Sequence, residues 1–206
     1  TQRLAEAFGA VRADVTVSIT GGGSGVGINA LSNDEVDIAN SSRPIKSKEI
    51  STCRANGVNP IELAIAIDGL SVIVNAGNGV EKLTVDQLAK IYRGAIKNWN
   101  EVGGPNRKIT LYGRQPNSGT FVFFRDEVVK AEYSPAMRQM NGNAQIVEGV
   151  KADQGGIGYV GLGYIRDIEG IRPVKLSKDG KTYVSPLQED LLKAGTPAPA
   201  KVTKSA

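Results

Sequence analysis

The residue pattern points to an α/β protein, on three grounds. Short apolar runs of strand length alternate along the chain with segments of helical periodicity. Two loops rich in glycine and hydroxyl residues each fall between a strand-like run and a helical one. Glycine, at 25 of 206 residues, exceeds its usual share of about 7%, while aromatic residues make up only 5%. Alternation of this kind implies a largely parallel sheet with helices on its faces. The length admits one large domain or two small ones.

In chain order, strand-like runs are predicted at 15–19 and 36–39, with helices at 25–33 and 46–55 between and after them. Further strand-like runs follow at 61–67 and 70–75. Thr84 and Gln87 stand in the spacing of a capping box, which predicts a helix running through Tyr92 and ending at Gly94. A loop around Trp99 and Gly103-Gly104-Pro105 then leads to a strand at 108–112. Near Ser118 a helix is expected to start, and Phe121, Phe124 and Val128 fall on one face of it as core contacts rather than cofactor contacts. Residues 148–153 read as a helix end, 157–160 and 171–174 as strands, and 196–206 as a mobile tail.

Composition removes several function classes. The chain has no histidine, which excludes Ser-His-Asp and Cys-His triads and HExxH zinc proteases. Cys53 is single, so it makes neither an internal disulfide nor a multi-cysteine zinc site, and a small buried thiol is its plain reading. No metal and no cofactor are expected. The net charge is +4, and the excess lies in the second half, where 15 basic residues face 11 acidic ones. These charges are scattered, which suits a mild anion preference and not a nucleic-acid groove. No stretch of 18 apolar residues is present, and no signal-peptide pattern opens the sequence, so any targeting segment would lie outside it.

Two segments could carry chemistry. The first is Thr20-Gly21-Gly22-Gly23-Ser24-Gly25-Val26-Gly27-Ile28, after a strand-like run and at the start of a helical one. Helix starts leave N–H groups unpaired at the positive end of the peptide dipoles, and glycine lets a ligand approach the backbone, so the arrangement suits an anion. It fits neither nucleotide template: Ile28 stands where a P-loop lysine would, and no GxGxxG spacing occurs. A tight turn and nothing more is the competing reading. The second segment, Gly113-Arg114-Gln115-Pro116-Asn117-Ser118-Gly119-Thr120, repeats the device with an arginine that can fork onto two oxygens. A plain N-cap at Asn117 or Ser118 is the alternative there. Asn40-Ser41-Ser42-Arg43-Pro44 adds further hydroxyls and a cation.

Together with Val36-Asp37-Ile38-Ala39, Asp68-Gly69-Leu70-Ser71-Val72-Ile73-Val74-Asn75, Leu88-Ala89-Lys90-Ile91-Tyr92, Asn98-Trp99 and Ile157-Gly158-Tyr159-Val160-Gly161, these segments give the chain a recognisable signature. It resembles the phosphate-binding proteins of phosphate ABC transporters, a branch of the periplasmic substrate-binding proteins, from about Leu4 to Leu187. The resemblance implies a two-lobed type II periplasmic-binding fold with a hinge. Residues 1–72 and 158–206 would form the first lobe and 73–157 the second. It also implies a non-enzymatic receptor outside the cytoplasmic membrane, with or without a lipid anchor, that captures inorganic phosphate and hands it to a membrane permease.

By position, the resemblance makes Ser24, Gly25, Ser42, Ser118, Gly119 and Thr120 phosphate donors, with Arg114 the guanidinium partner and Arg43 a second cation. One branch of the family carries an aspartate where this chain has Ser42; that carboxylate accepts the proton of hydrogen phosphate and so rejects sulfate. Asp68 is nominated for this task, with an ion pair to Arg43 or Arg114 as its alternative. Family members begin with a strand and a phosphate-gripping loop ahead of a helix like 2–8, and continue beyond a segment like 185–187. The sequence is therefore expected to be truncated at both ends or completed by residues outside it, with unpaired strand edges in the first lobe. Rival readings are a receptor for sulfate or molybdate, a serine hydrolase using Ser24 or Ser118, and a structural or adhesive protein.

Overall fold

The computed structural model describes residues 2–66, 68–165 and 168–186. Its centre is β5 (Gly156–Gly161), buried at all six positions, in a five-stranded sheet. The other strands are β1 (Leu70–Asn75), β3 (Thr110–Arg114), β4 (Arg138–Met140) and β6 (Ile171–Pro173), in the order β4-β3-β5-β1-β6. Two further strands, β2 (Lys82–Thr84) and β7 (Lys175–Ser177), pair in parallel beside it.

Side chains of a strand alternate between faces, and both faces here are covered, which is why β1 and β5 read as continuous apolar runs. Val72, Val74, Ile157 and Tyr159 join the cluster that contains Trp99 and the helix α4 (Val85–Arg93). Ile73 and Val160 join the opposite cluster with Ile146, Val147 and Val150 of α6 (Asn143–Ala152). The capping box that starts α4 is formed as its residues predict: Gln87 N–H donates to Thr84 Oγ1 at 3.0 Å, and Thr84 N–H to Gln87 Oε1 at 2.9 Å. Helix α5 (Gly119–Phe124) starts after Ser118 and runs on into a π-helical turn, Arg125–Val129. Its Phe121 and Phe124 are buried, so the expectation that they are core residues holds.

The sheet is mixed rather than largely parallel. β3 is parallel to both β4 and β5, whereas β1 is antiparallel to β5 and to β6. Strand–helix alternation fixes direction only where a helix carries the chain back to its starting edge. The α5 run does this between β3 and β4, and α6 between β4 and β5. β1 instead arrives from the N-terminal segment. The predicted domain boundaries fall inside β1 and β5, where Val72 stands opposite Tyr159.

Residues 2–66 contribute three helices, α1 (Gln2–Val11), α2 (Ser24–Ser32) and α3 (Ser47–Ala55). α1 buries no residue. α2 and α3 meet where Ser32 Oγ lies 3.0 Å from Cys53 Sγ, a fully buried thiol, as its sequence context suggests. Asn56 Nδ2 adds a bond to the Ser32 carbonyl at 2.8 Å. The strand-like runs at 15–19, 36–39 and 61–66 join no ladder among the described residues. Ile38, Ile61 and Ile65 are 80%, 81% and 82% exposed. Apolar alternation prepares a segment for a sheet, but a strand forms only against a neighbour. Ile67, the end of the third run, and the predicted tail at 196–206 lie outside the described residues.

Candidate anion-binding site

The two glycine loops meet. Gly25 N–H donates to the Asn117 carbonyl at 3.1 Å, which staples the start of α2 to the loop before α5. Ser24 Oγ lies directly over Gly119, so close that a Cβ there would overlap it, and the same Cβ would come within 3.3 Å of the Ser42 carbonyl carbon. Only glycine permits this approach at the head of α5. Ser24 Oγ also accepts from Ser42 N–H at 3.1 Å. The segments around Ser24, Ser42 and Gly119 therefore converge on one point, as the candidate residues require.

The donors at that point keep capacity to spare. A hydroxyl carries one proton and two lone pairs, so Ser24, accepting from Ser42, still has its proton to give. Ser118 and Thr120 are also buried, and the Ser118 hydroxyl makes no capping bond to the helix that it precedes. Ser41 shapes the third segment: its hydroxyl donates to the Arg43 carbonyl at 2.6 Å and accepts from Arg43 N–H at 3.2 Å, a turn that presents Ser42. Ser42, Arg43, Asp68 and Thr120 share the wall of a cavity of about 710 Å³.

Arg114 ends β3. Its Nε is buried and has no hydrogen-bond partner, a costly state for a charged donor unless an anion completes it. Its backbone N–H donates to Tyr159 Oη at 3.1 Å.

Two nominated residues, Gly25 and Arg43, spend their donors elsewhere, and the ion-pair alternative for Asp68 is absent among the described residues. Gly25 spends its N–H on Asn117, so it joins the loops and does not offer that donor to a ligand. Arg43 forks onto Glu49, Nη1 to Oε2 at 2.9 Å and Nη2 to Oε1 at 2.7 Å, and also donates to the Pro44 carbonyl. The Arg43 bond is the main reason that the Glu49 carboxyl is held below its ordinary range, and Glu49 in turn raises Arg43. The Arg43 charge is thus neutralised within its own segment. Asp68 makes no ion pair with Arg43 or Arg114 among the described residues; its carboxylate stands exposed beside Gly161 at the end of β5.

The residues that sequence reasoning passed over are Tyr133 and Tyr159. Tyr133 Oη donates to the Phe121 carbonyl at 2.9 Å and lies 3.3 Å from Tyr159 Oη. A tyrosine inside the otherwise aliphatic, glycine-rich run of β5 is the signal that could have singled out Tyr159. Burial pushes both phenols above their ordinary range, so both stay protonated and able to hydrogen-bond.

Comparison with known proteins places the chain in a family. A family model described as a PBP superfamily domain matches residues 1–203. The protein SphX of Synechococcus elongatus is 35% identical over 177 residues, covering 82% of this chain and 52% of that protein. A phosphate-binding protein PstS of Staphylococcus saprophyticus is 35% identical over 186 residues, 88% of this chain and 58% of that protein. The chain thus spans little more than half the length of these curated relatives. A crystal structure of a putative phosphate ABC transporter substrate-binding protein with bound phosphate, from Clostridium perfringens, superposes with a TM-score of 0.78 at 29% identity, covering 94% of this chain and 75% of that one. From its glycine loops to its mixed sheet, the chain belongs to the PBP superfamily.

Proposed function

We propose that this chain captures inorganic phosphate where the Ser24, Ser42 and Gly119 segments meet, and that it does so as a receptor, making and breaking no bond. The observation that carries the reading is this convergence: Ser24 Oγ touches both of the other segments, and the hydroxyls around it keep their protons. The buried, unpaired Nε of Arg114 supplies the matching charge. The bound phosphate in the Clostridium perfringens structure supports the same ligand. Residues 2–66 form one side of the site and the β1–β7 body the other. Closure is a population shift driven by ligand contacts from both sides. Asp68, two residues ahead of β1, accepts the proton of hydrogen phosphate and disfavours sulfate. The site works outside the cytoplasmic membrane and delivers its anion to an ABC permease.

Calorimetric titration of the protein with phosphate, sulfate and molybdate tests the reading. Phosphate is expected to bind at micromolar concentration or tighter and to outcompete the other two. Binding of sulfate with no heat from phosphate would reverse the assignment. A second expectation concerns the close approach. Gly119→Ala places a methyl group against Ser24 Oγ and should weaken phosphate binding by about 1–3 kcal/mol, the usual cost of overpacking. An unchanged dissociation constant would show that the two loops need not touch in the bound state.

A further inference from the structure

We propose that Tyr159, backed by Tyr133, is a positioning residue for anion capture: it fixes the end of β3, and with it Arg114, against the start of α5. This rests on the phosphate reading above and deepens it.

The ladder shows why such a device is needed. β3 pairs with β5 at Thr110↔Gly156 and Leu111↔Ile157, while its pairing with β4 continues through Arg114↔Met140. By Arg114 the β5 side has lost its backbone partner, and the Tyr159 hydroxyl takes over by accepting the Arg114 N–H. Gly113 makes room for the phenol, since a Cβ there would come within 3.0 Å of Tyr159 Oη. The chain of bonds then continues to the helix. The Phe121 carbonyl can only accept, so the single Tyr133 proton goes to it, and the 3.3 Å contact between the two hydroxyls is completed by the Tyr159 proton. Arg114 N–H, Tyr159, Tyr133 and the Phe121 carbonyl thus form one series that joins the residue bearing the guanidinium to the helix bearing Gly119 and Thr120. Tyr159 is itself held by stacking on Phe124, ring centres 4.1 Å apart and planes 11° from parallel. A ligand that bridges the guanidinium and the α5 start pays less ordering entropy when these two are already fixed relative to each other.

The variant Tyr159→Phe keeps the stacking and removes only the hydroxyl. Three measurements on the full chain decide the matter: phosphate titration by calorimetry, urea unfolding without phosphate, and amide hydrogen exchange at Arg114. The expected result is phosphate binding weaker by about tenfold, the loss of roughly one buried hydrogen bond's worth of preorganisation. Exchange at Arg114 should quicken with or without phosphate, and the unfolding midpoint should fall only modestly, by the cost of leaving Arg114 N–H without its acceptor. If the parent binds phosphate and Tyr159→Phe binds it equally well, the positioning role is overturned and the phosphate reading stands. A parent chain that binds no phosphate ends the phosphate reading and this proposal with it. Should Tyr159→Phe fail to fold, Tyr133→Phe breaks the same series one step further on. Weaker phosphate binding in that variant supports the proposal, and unchanged binding overturns it.

Discussion

Replacing Arg114 by alanine is expected to weaken phosphate binding by roughly 2–4 kcal/mol, about 30- to 900-fold in the dissociation constant. The size follows from what the substitution would strand on the proposed reading: the anion keeps the hydroxyls of Ser24, Ser118 and Thr120 but loses its charge-assisted bond to the guanidinium. Arg114→Lys should fall between parent and alanine, because an ammonium keeps the charge and loses the planar fork. Stability without anion should not drop, and could rise, since Nε is a buried donor with no partner and its removal relieves a desolvation cost. Calorimetry on the three proteins, with urea unfolding beside it, checks both halves. Binding by Arg114→Ala as tight as that of the parent would place the site elsewhere.

The largest expected effect on stability belongs to Trp99, the chain's single tryptophan and fully buried. Its indole N–H donates to the Gly155 carbonyl at 3.0 Å, and the residue's own N–H and carbonyl tie the loop to Arg107 and Gly104. Trp99→Ala should cost about 3–5 kcal/mol, most of it from the cavity, because Gly155 keeps a second donor in Thr110 N–H. Against a total of about 5–15 kcal/mol for an ordinary domain, that is a large fraction. Trp99 cannot report its own replacement by fluorescence, so far-ultraviolet circular dichroism in urea is the measurement. A loss below about 1 kcal/mol would mean that the surrounding core collapses onto the gap.

β1, α4, β3, the start of α5, β5 and β6 were legible because their local signals and their packing agree, whereas the three-residue strands β2, β4 and β7 are too short to carry a pattern of their own. The Thr84–Gln87 box starts α4 where its residues say, and the aliphatic runs of β1 and β5 lie in a sheet covered on both sides. The runs at 15–19, 36–39 and 61–66 carry the same apolar alternation, yet nothing in their own residues supplies a hydrogen-bonding neighbour. Sheet direction was misjudged for β1 for a related reason: a strand's residues do not say from which edge the chain arrives. At the candidate site, the segments around Ser24 and Ser118–Thr120 stood out because hydroxyls and glycines cluster there ahead of a helix, whereas Ser42 was nominated through the resemblance. The pairing of Arg43 was not legible, because its bidentate partner Glu49 sits in the first turn of α3 and one charge alone does not reveal what neutralises it. The phenol series was hidden because it joins three elements that only the fold brings together.

Strand β1 is laced to β5 over five residue pairs and to β6 over three, so it cannot bend without giving up ladder bonds. Any swing of the N-terminal sixty-odd residues relative to the sheet must therefore be taken up ahead of Leu70, where Asp68 and Gly69 lead into the strand. Asp68 stands on that pivot. A swing about it would first break the Gly25–Asn117 bond, so the two glycine loops part before anything else moves.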